Sequence, residues 1–169
     1  MVKSGFISQV SSGIYSYLPL AWRSLRKIEN IIREEMDRIG AQELRLSALQ
    51  PRELYDESGR TEVFGNDLLT LEDRRGRPLV IAPTHEEVLT NIVKANVSSY
   101  KDLPKVLYQI QTKFRDEPRP RGGLIRVREF DMKDAYSFDV DESGLEDTYR
   151  SVIAAYERIY SRCGLEVIM

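Results

Sequence analysis

Between residues 21 and 39 the apolar side chains Trp22, Leu25, Ile28, Ile32, Met36 and Ile39 recur at three- and four-residue steps, with charged positions between them. That spacing lays one stripe along a single helix face for about five turns, and Gly40 marks its expected stop. Residues 44–49 read as a short strand. Apolar runs at 68–71 and 79–82 flank the turn sequence Arg74-Arg75-Gly76-Arg77-Pro78 and predict a β-hairpin. Thr84 opens a predicted helix to residue 95, with Val88, Leu89 and Ile92 facing inward. Residues 106–115 and 124–130 predict a second hairpin around the loop 118–123. A final helix is expected to start at a Ser143-x-x-Glu146 capping box and reach Arg162, with Leu145, Val152, Ile159 and the tyrosines Tyr149, Tyr156 and Tyr160 packed in the core and Gly164 as the stop. Strands joined by hairpins, with helices between them, predict an α+β fold: an antiparallel sheet flanked by helices.

Composition narrows the class. A chain of 169 residues, 41% hydrophobic and 31% charged, suits one domain that buries roughly 70% of its unfolded surface. No apolar run approaches the ~20 residues that span a bilayer. The start MVKSGFISQV lacks the apolar core of a secretory signal, so a cytoplasmic location is expected. The single cysteine, Cys163, excludes an internal disulfide and a cysteine-cluster metal site, and the single histidine, His85, excludes an all-histidine zinc centre. Neither GxGxxG nor GxxxxGK[ST] is present. A bound nucleotide would therefore be held by side chains of a sheet and not by a glycine-rich loop.

Charge concentrates the candidate chemistry. Residues 113–133 hold seven lysines and arginines against four acids, while the rest of the chain holds 18 against 23. In an extended backbone Arg115 and Glu117 share a face, as do Arg126, Arg128 and Phe130, and pairing of the two strands around the loop would point them into one cleft. Guanidinium forks, a carboxylate acceptor and an aromatic platform suit a nucleotide. The same alternation is also what a solvated hairpin with weak cross-strand ion pairs looks like. The tip Pro118-Arg119-Pro120-Arg121-Gly122-Gly123 has the composition of a rigid turn. Thr84-His85-Glu86-Glu87 fits a capping box, with Thr84 at the N-cap and Glu87 reaching back, which leaves Glu86 without a structural reason.

FRDE at 114–117, followed by a loop and RVREF at 126–130, resembles motif 2 of class II aminoacyl-tRNA synthetases. PTHEE at 83–87 resembles the Thr-x-Glu amino-acid loop of prolyl-tRNA synthetases. MKDAYSFD at 132–139, SGIYSYLPL at 12–20 and YQIQTKFRDE at 108–117 are similar to the bacterial-type prolyl enzymes, so the resemblance spans essentially the whole chain. It implies the class II antiparallel sheet with ATP bound in a bent form, ATP-dependent activation of proline to prolyl-adenylate, and transfer to the 3′ end of tRNA(Pro). It implies that Thr84 and Glu86 hold the ring nitrogen of proline, and that Arg115, the catalytic residue, bridges the proline carboxylate and the α-phosphate. Glu117 then receives the adenine amino group, Phe130 stacks on the adenine, Arg126 reaches the outer phosphates, and Mg²⁺ accompanies ATP without protein ligands visible in the sequence. Arg119 and Arg121 become contacts to the tRNA acceptor end, Tyr136 and Phe138 walls of the amino-acid pocket, and His85 a variable position with no catalytic role.

Two departures from the family pattern shape the remaining expectations. Ser47 occupies the place of the motif 1 proline at the dimer interface of these homodimeric enzymes, and Pro51 belongs to the following turn. No glycine-rich motif 3, editing insertion or anticodon-binding domain follows. Residues 1–169 are thus expected to be the motif 1 and motif 2 part of a catalytic domain, inactive alone. The alternatives are a threonyl- or seryl-type relative, or a non-catalytic paralogue serving as a dimerisation or binding module.

Overall fold

The computed structural model describes residues 1–168; the last position of the expected 1–169 span lies outside the described residues. In chain order the elements are β1 (Ile7–Ser11), β2 (Ile14–Tyr17), α1 (Pro19–Arg38), β3 (Gln42–Glu43), β4 (Leu49–Pro51), α2 (Glu53–Glu57), α3 (Arg60–Phe64), β5 (Thr70–Glu72), β6 (Pro78–Ile81), α4 (Glu86–Asn96), β7 (Lys105–Phe114), β8 (Glu129–Phe138) and α5 (Glu142–Arg162). They fall into two compact units. Met1–Ala21, Leu46–Lys94 and Gln111–Met132 form the first; residues 22–45, 95–110 and 133 onward form the second.

In the first unit β6 is the middle strand of the order β4-β6-β5, with Val80 opposite both Gln50 and Thr70 and fully buried. Tyr55, Leu68 and Val80, with Leu54 and Phe64 against them, make the core of this unit. The predicted hairpin turn is present: Asp73 Oδ1 accepts from the amides of Arg75 (2.8 Å) and Arg77 (3.0 Å), and Gly76 supplies a φ of 75°. The β1–β2 hairpin turns at Gly13, whose φ is 75° and where a Cβ would stand 2.8 Å from Pro120. The tip of the charged loop thus packs directly on that turn.

In the second unit Met36, Ala41, Tyr108, Ala155 and Ile159 form the core. Beside them Glu35 is fully buried and receives Arg158 Nε at 2.6 Å, Arg162 Nη1 at 2.8 Å and Arg38 Nη1 at 3.0 Å. Three guanidinium partners are what makes a buried carboxylate tolerable there. Burial also pushes the Lys133 amine down to about 8, with its Nζ 3.8 Å from the centre of the Tyr156 ring.

Among the described residues β1–β2, β4–β6 and β5–β6 pair antiparallel, while Gln42 and Glu43 pair parallel with Leu107 and Tyr108. For β7 and β8, Gln109 bonds Asp134, Thr112 bonds Asp131 and the Arg115 amide bonds the Arg128 carbonyl, the progression of an antiparallel pair.

Several expected elements differ in place. The strand expected over 44–49 is two shorter ones on either side, because the carbonyls between them are taken by side chains. Gln111 Nε2 donates to Leu46, and Gln50 Nε2 and His85 Nε2 meet Ser47. The strand expected over 124–130 begins only at Glu129 and runs on to Phe138, since 122–125 are turn and the Arg128 amide bonds Gly13. The cap of α5 is Asp141, accepting from the Gly144 amide at 2.8 Å; Glu146 instead pairs with Arg150. Its buried face is Ala155 and Ile159, while Leu145, Tyr149 and Tyr160, expected in the core, are exposed. On α4 the buried positions are Leu89 and Val93, and Ile92 is exposed. The apolar stripe of α1 is buried at Met36 but open at Trp22 and Ile28.

The Glu35 cluster ties stability to pH. The Arg158 hydrogen bond above all, joined by Arg162 and Arg38 and opposed by burial, holds the Glu35 carboxyl below its ordinary value. A carboxyl depressed by folding stabilises fully above its unfolded value and loses that contribution as pH falls through the folded one. Chemical denaturation should therefore show stability declining below about pH 4.5, with Glu35→Gln flattening that decline and lowering stability at neutral pH.

Candidate functional site

β6 ends at Ile81 and α4 begins at Glu86, and between them Ala82, Pro83, Thr84 and His85 are all buried. Buried backbone outside helix or strand must find partners, and each carbonyl here has one. Ala82 O accepts from the Phe114 amide (3.1 Å), Pro83 O from Arg115 Nη2 (3.3 Å) and His85 O from the Leu89 amide (3.0 Å). Tyr55 Oη lies 2.9 Å from Thr84 O and 2.8 Å from Gln50 Oε1, which share its one proton. The His85 ring is gripped at both nitrogens: Nδ1 by Lys113 Nζ at 2.5 Å and Nε2 by the Ser47 carbonyl at 3.0 Å. His85, with no catalytic role expected, is a fully buried anchor, and Lys113 beneath it is fully buried too.

The loop presents Thr84 and Glu86 as a joined pair, because Thr84 Oγ1 donates to Glu86 Oε2. Arg60 Nη1 stands 3.1 Å from Glu86 Oε2 and 3.1 Å from Glu87 Oε1. Burial works to raise the Glu86 carboxyl, but the bonds from Thr84, its own amide and Arg60 prevail and hold it below its ordinary value. The capping box expected here is absent. Glu87 does not reach back to Thr84; it accepts from Ser58 Oγ and Arg60.

Arg115 follows β7 directly. Besides its bond to Pro83 O, its Cζ sits 5.4 Å from the centre of the Phe130 ring, and its Nε is buried without a hydrogen-bond partner. A buried cationic donor left open is costly unless a ligand completes it. Glu117, Arg126 and Arg119 close on one another: Arg126 Nε lies 2.6 Å from Glu117 Oε2 and the Arg119 amide 2.8 Å from Oε1. The Arg126 bond chiefly, then the Arg119 amide, holds the Glu117 carboxyl below its ordinary value. Arg128 bonds the Glu117 carbonyl and pairs with Asp116. Arg119 and Arg121 have exposed side chains, Arg121 bridging Arg126 through the backbone.

Thr84, Glu86, Arg115, Glu117, Arg126 and Phe130 all lie in the first unit, tied through Pro83 and the charged loop. Tyr136 and Phe138 lie in the second, where Tyr136 donates to Asp134 Oδ2 at 2.5 Å and borders a cavity of about 430 Å³ with Tyr149 and Tyr156. Sequence reasoning missed Arg60, Tyr55 and the Lys113–His85 contact. The half-polar strand KVLYQIQTKF gave no local sign of the last, and Arg60 stands 26 positions before Glu86 with no spacing rule to join them.

The model of the tRNA synthetase class II core domain (G, H, P, S and T) matches residues 69–169. The proline–tRNA ligase of Caldicellulosiruptor bescii is 62% identical over 167 residues, 99% of this chain and 29% of that protein. The chain thus spans about three tenths of the length of the curated relatives it matches. Among solved structures, Giardia lamblia prolyl-tRNA synthetase in complex with prolyl-adenylate aligns with a TM-score of 0.88 at 21% identity, covering 95% of this chain and 34% of that one. The Cryptosporidium parvum prolyl-tRNA synthetase complexed with halofuginone and AMPPNP aligns at 0.85 and 20% identity, covering 95% and 33%. At these identities the structural likeness is one of fold.

Tyr55 offers a direct check on the tether of the buried loop. Tyr55→Phe keeps the ring and leaves Thr84 O and Gln50 Oε1 short of a buried donor, so urea denaturation should show a loss of about 1–3 kcal/mol.

Proposed function

The chain belongs to the class II tRNA synthetase core-domain family, and from that premise we propose that it is the part of a proline–tRNA ligase that activates proline with ATP. The names of its relatives across 99% of the chain support that substrate. The prolyl-adenylate and AMPPNP held by the fold neighbours support the same reaction and the use of ATP. We read residues 1–169 as the portion of the catalytic core carrying motifs 1 and 2.

In this reaction a carboxylate oxygen of proline attacks the α-phosphorus of ATP, pyrophosphate leaves, and prolyl-adenylate forms for transfer to the 3′ end of tRNA(Pro). No protein nucleophile is needed. The site has to align two anions and stabilise the charge that builds on the α-phosphate. The observation that carries the proposal is Arg115, fixed on the carbonyl just before Thr84, beneath the Phe130 ring, with a buried Nε lacking a partner. It takes the proline carboxylate and the α-phosphate, while Thr84 and Glu86 take the ring ammonium. Phe130 stacks on adenine, Glu117 accepts its amino group, and Arg126 turns from Glu117 to the outer phosphates.

Mg²⁺ would be expected to accompany ATP; among the described residues no three His, Cys, Asp or Glu side chains gather to hold a metal. The exposed Arg119 and Arg121 meet phosphates at the acceptor end of tRNA, a contact that adds affinity without sequence choice. No described helix is long and apolar enough to cross a membrane, and the proposal places the enzyme in the cytoplasm as a homodimer.

Calorimetric titration of this chain with a non-hydrolysable prolyl-adenylate analogue, against threonyl and alanyl analogues, tests the reading. Proline-selective binding supports it; a folded chain that binds none of them points to a non-catalytic module, and preference for the threonyl analogue to a different specificity. Arg115→Ala is expected to weaken the prolyl analogue about tenfold to hundredfold, the scale of a lost charged hydrogen bond.

A further inference from the structure

Arg60 holds two carboxylates through a single nitrogen. Its Nη1 is 3.1 Å from both Glu86 Oε2 and Glu87 Oε1, although a guanidinium carries five N–H donors in a fork made for bidentate pairing. The carboxylates meet it unequally. Glu86 Oε2 already accepts from Thr84. Glu87 Oε1 accepts from Ser58 Oγ at 3.1 Å, and Glu87 Oε2 is buried with no hydrogen-bond partner. A bare carboxylate oxygen out of water is costly, and it lies on the same carboxylate Arg60 already touches. The Phe64 ring, 5.1 Å from Arg60 Cζ, steadies the guanidinium beside both acids. Two carboxylates against one guanidinium leave one negative charge over, which one cationic ligand group neutralises.

We propose that Arg60 is a positioning residue that yields Glu86 to the substrate ammonium and closes as a bidentate pair on Glu87, whose open oxygen waits for it. This rests on the reading that Glu86 receives the ammonium. Before substrate binds, Arg60 pairs with Glu86, which Thr84 also holds in place. When an ammonium takes Glu86, Arg60 keeps a counter-charge, and the hydrogen bond it gives up is replaced by one to Glu87 Oε2. A ring without the ammonium cannot take over Glu86 and leaves Arg60 where it was. Glu87 thereby makes amine recognition cheap without touching the amine.

The test is calorimetry on this chain with two probes: the non-hydrolysable prolyl-adenylate analogue and its cyclopentanecarbonyl counterpart, in which carbon replaces the ring nitrogen. The unmodified chain should prefer the prolyl probe. In Glu87→Gln, Arg60 keeps Glu86 as its only carboxylate, so the prolyl probe should bind about tenfold more weakly while the cyclopentyl probe binds as before. The unchanged cyclopentyl affinity also reports that the variant is folded. Removing the competing guanidinium as well, in Arg60→Gln/Glu87→Gln, should restore the preference. Equal weakening of both probes by Glu87→Gln, no weakening of either, or a double variant no better than the single one overturns the hand-over. An unmodified chain that binds both probes alike overturns the assignment of Glu86 and the hand-over with it.

Discussion

Four consecutive residues that are neither helix nor strand, Ala82 to His85, lie buried, and that constraint organises the first unit. Without water, their carbonyls must be met from within the protein. The Phe114 amide, Arg115, Tyr55 and the Leu89 amide each meet one. These donors come from the end of β7, the residue after it, the short helix α2 and the first turn of α4. Each is needed at one place only, so the loop fixes where all of them stand. Because Arg115 anchors the loop with one arm of its fork, its guanidinium is held at the carbonyl just before Thr84. If substrate binds as we propose, a site organised in this way would not have to be assembled on its arrival.

The second anchor is electrostatic. Lys113 has no solvent around its amine, and its Nζ lies against His85 Nδ1. With Nε2 facing the Ser47 carbonyl, the ring proton belongs on Nε2, which leaves the lone pair of Nδ1 for the lysine. The tautomer is therefore set by the backbone of the segment between β3 and β4. This also accounts for the missing strand at 44–49: a carbonyl engaged by a histidine and a glutamine is not available to a ladder.

Local patterns made much of the fold legible. Helices α1, α4 and α5, the β5–β6 hairpin and strand β7 follow from three- to four-residue apolar spacing, a glycine turn and a run of β-formers, all decided within a few residues. Errors arose where a local motif met a competing partner, whether a neighbour or one distant in sequence. Ser143-x-x-Glu146 has the letters of a capping box, but Asp141 reaches the Gly144 amide first. Thr84-x-x-Glu87 has them too, but Arg60 draws Glu87 away. The same holds for the site: Thr84, Glu86, Arg115, Glu117, Arg126 and Phe130 were named from the sequence because they sit in short motifs. Arg60 and Tyr55 were not, since only the folded chain brings them to those motifs.

Both carboxylates that we propose for the ligand already have arginine partners, Glu86 with Arg60 and Glu117 with Arg126. Each is held below its ordinary carboxyl range, so each is ionised before a ligand comes. An acceptor paired in advance gains only the difference between its new bond and its old one, which lowers affinity for ligands that merely approximate the right donor. The arrangement therefore trades strength of binding for discrimination. Arg115 is the exception, with a buried donor unpaired, so under the same proposal it would gain its full bond from a ligand anion. In the proposed reading, general attraction for an anionic substrate would rest on Arg115, while the choice of amine and base would rest on carboxylates that must first be won from their arginines.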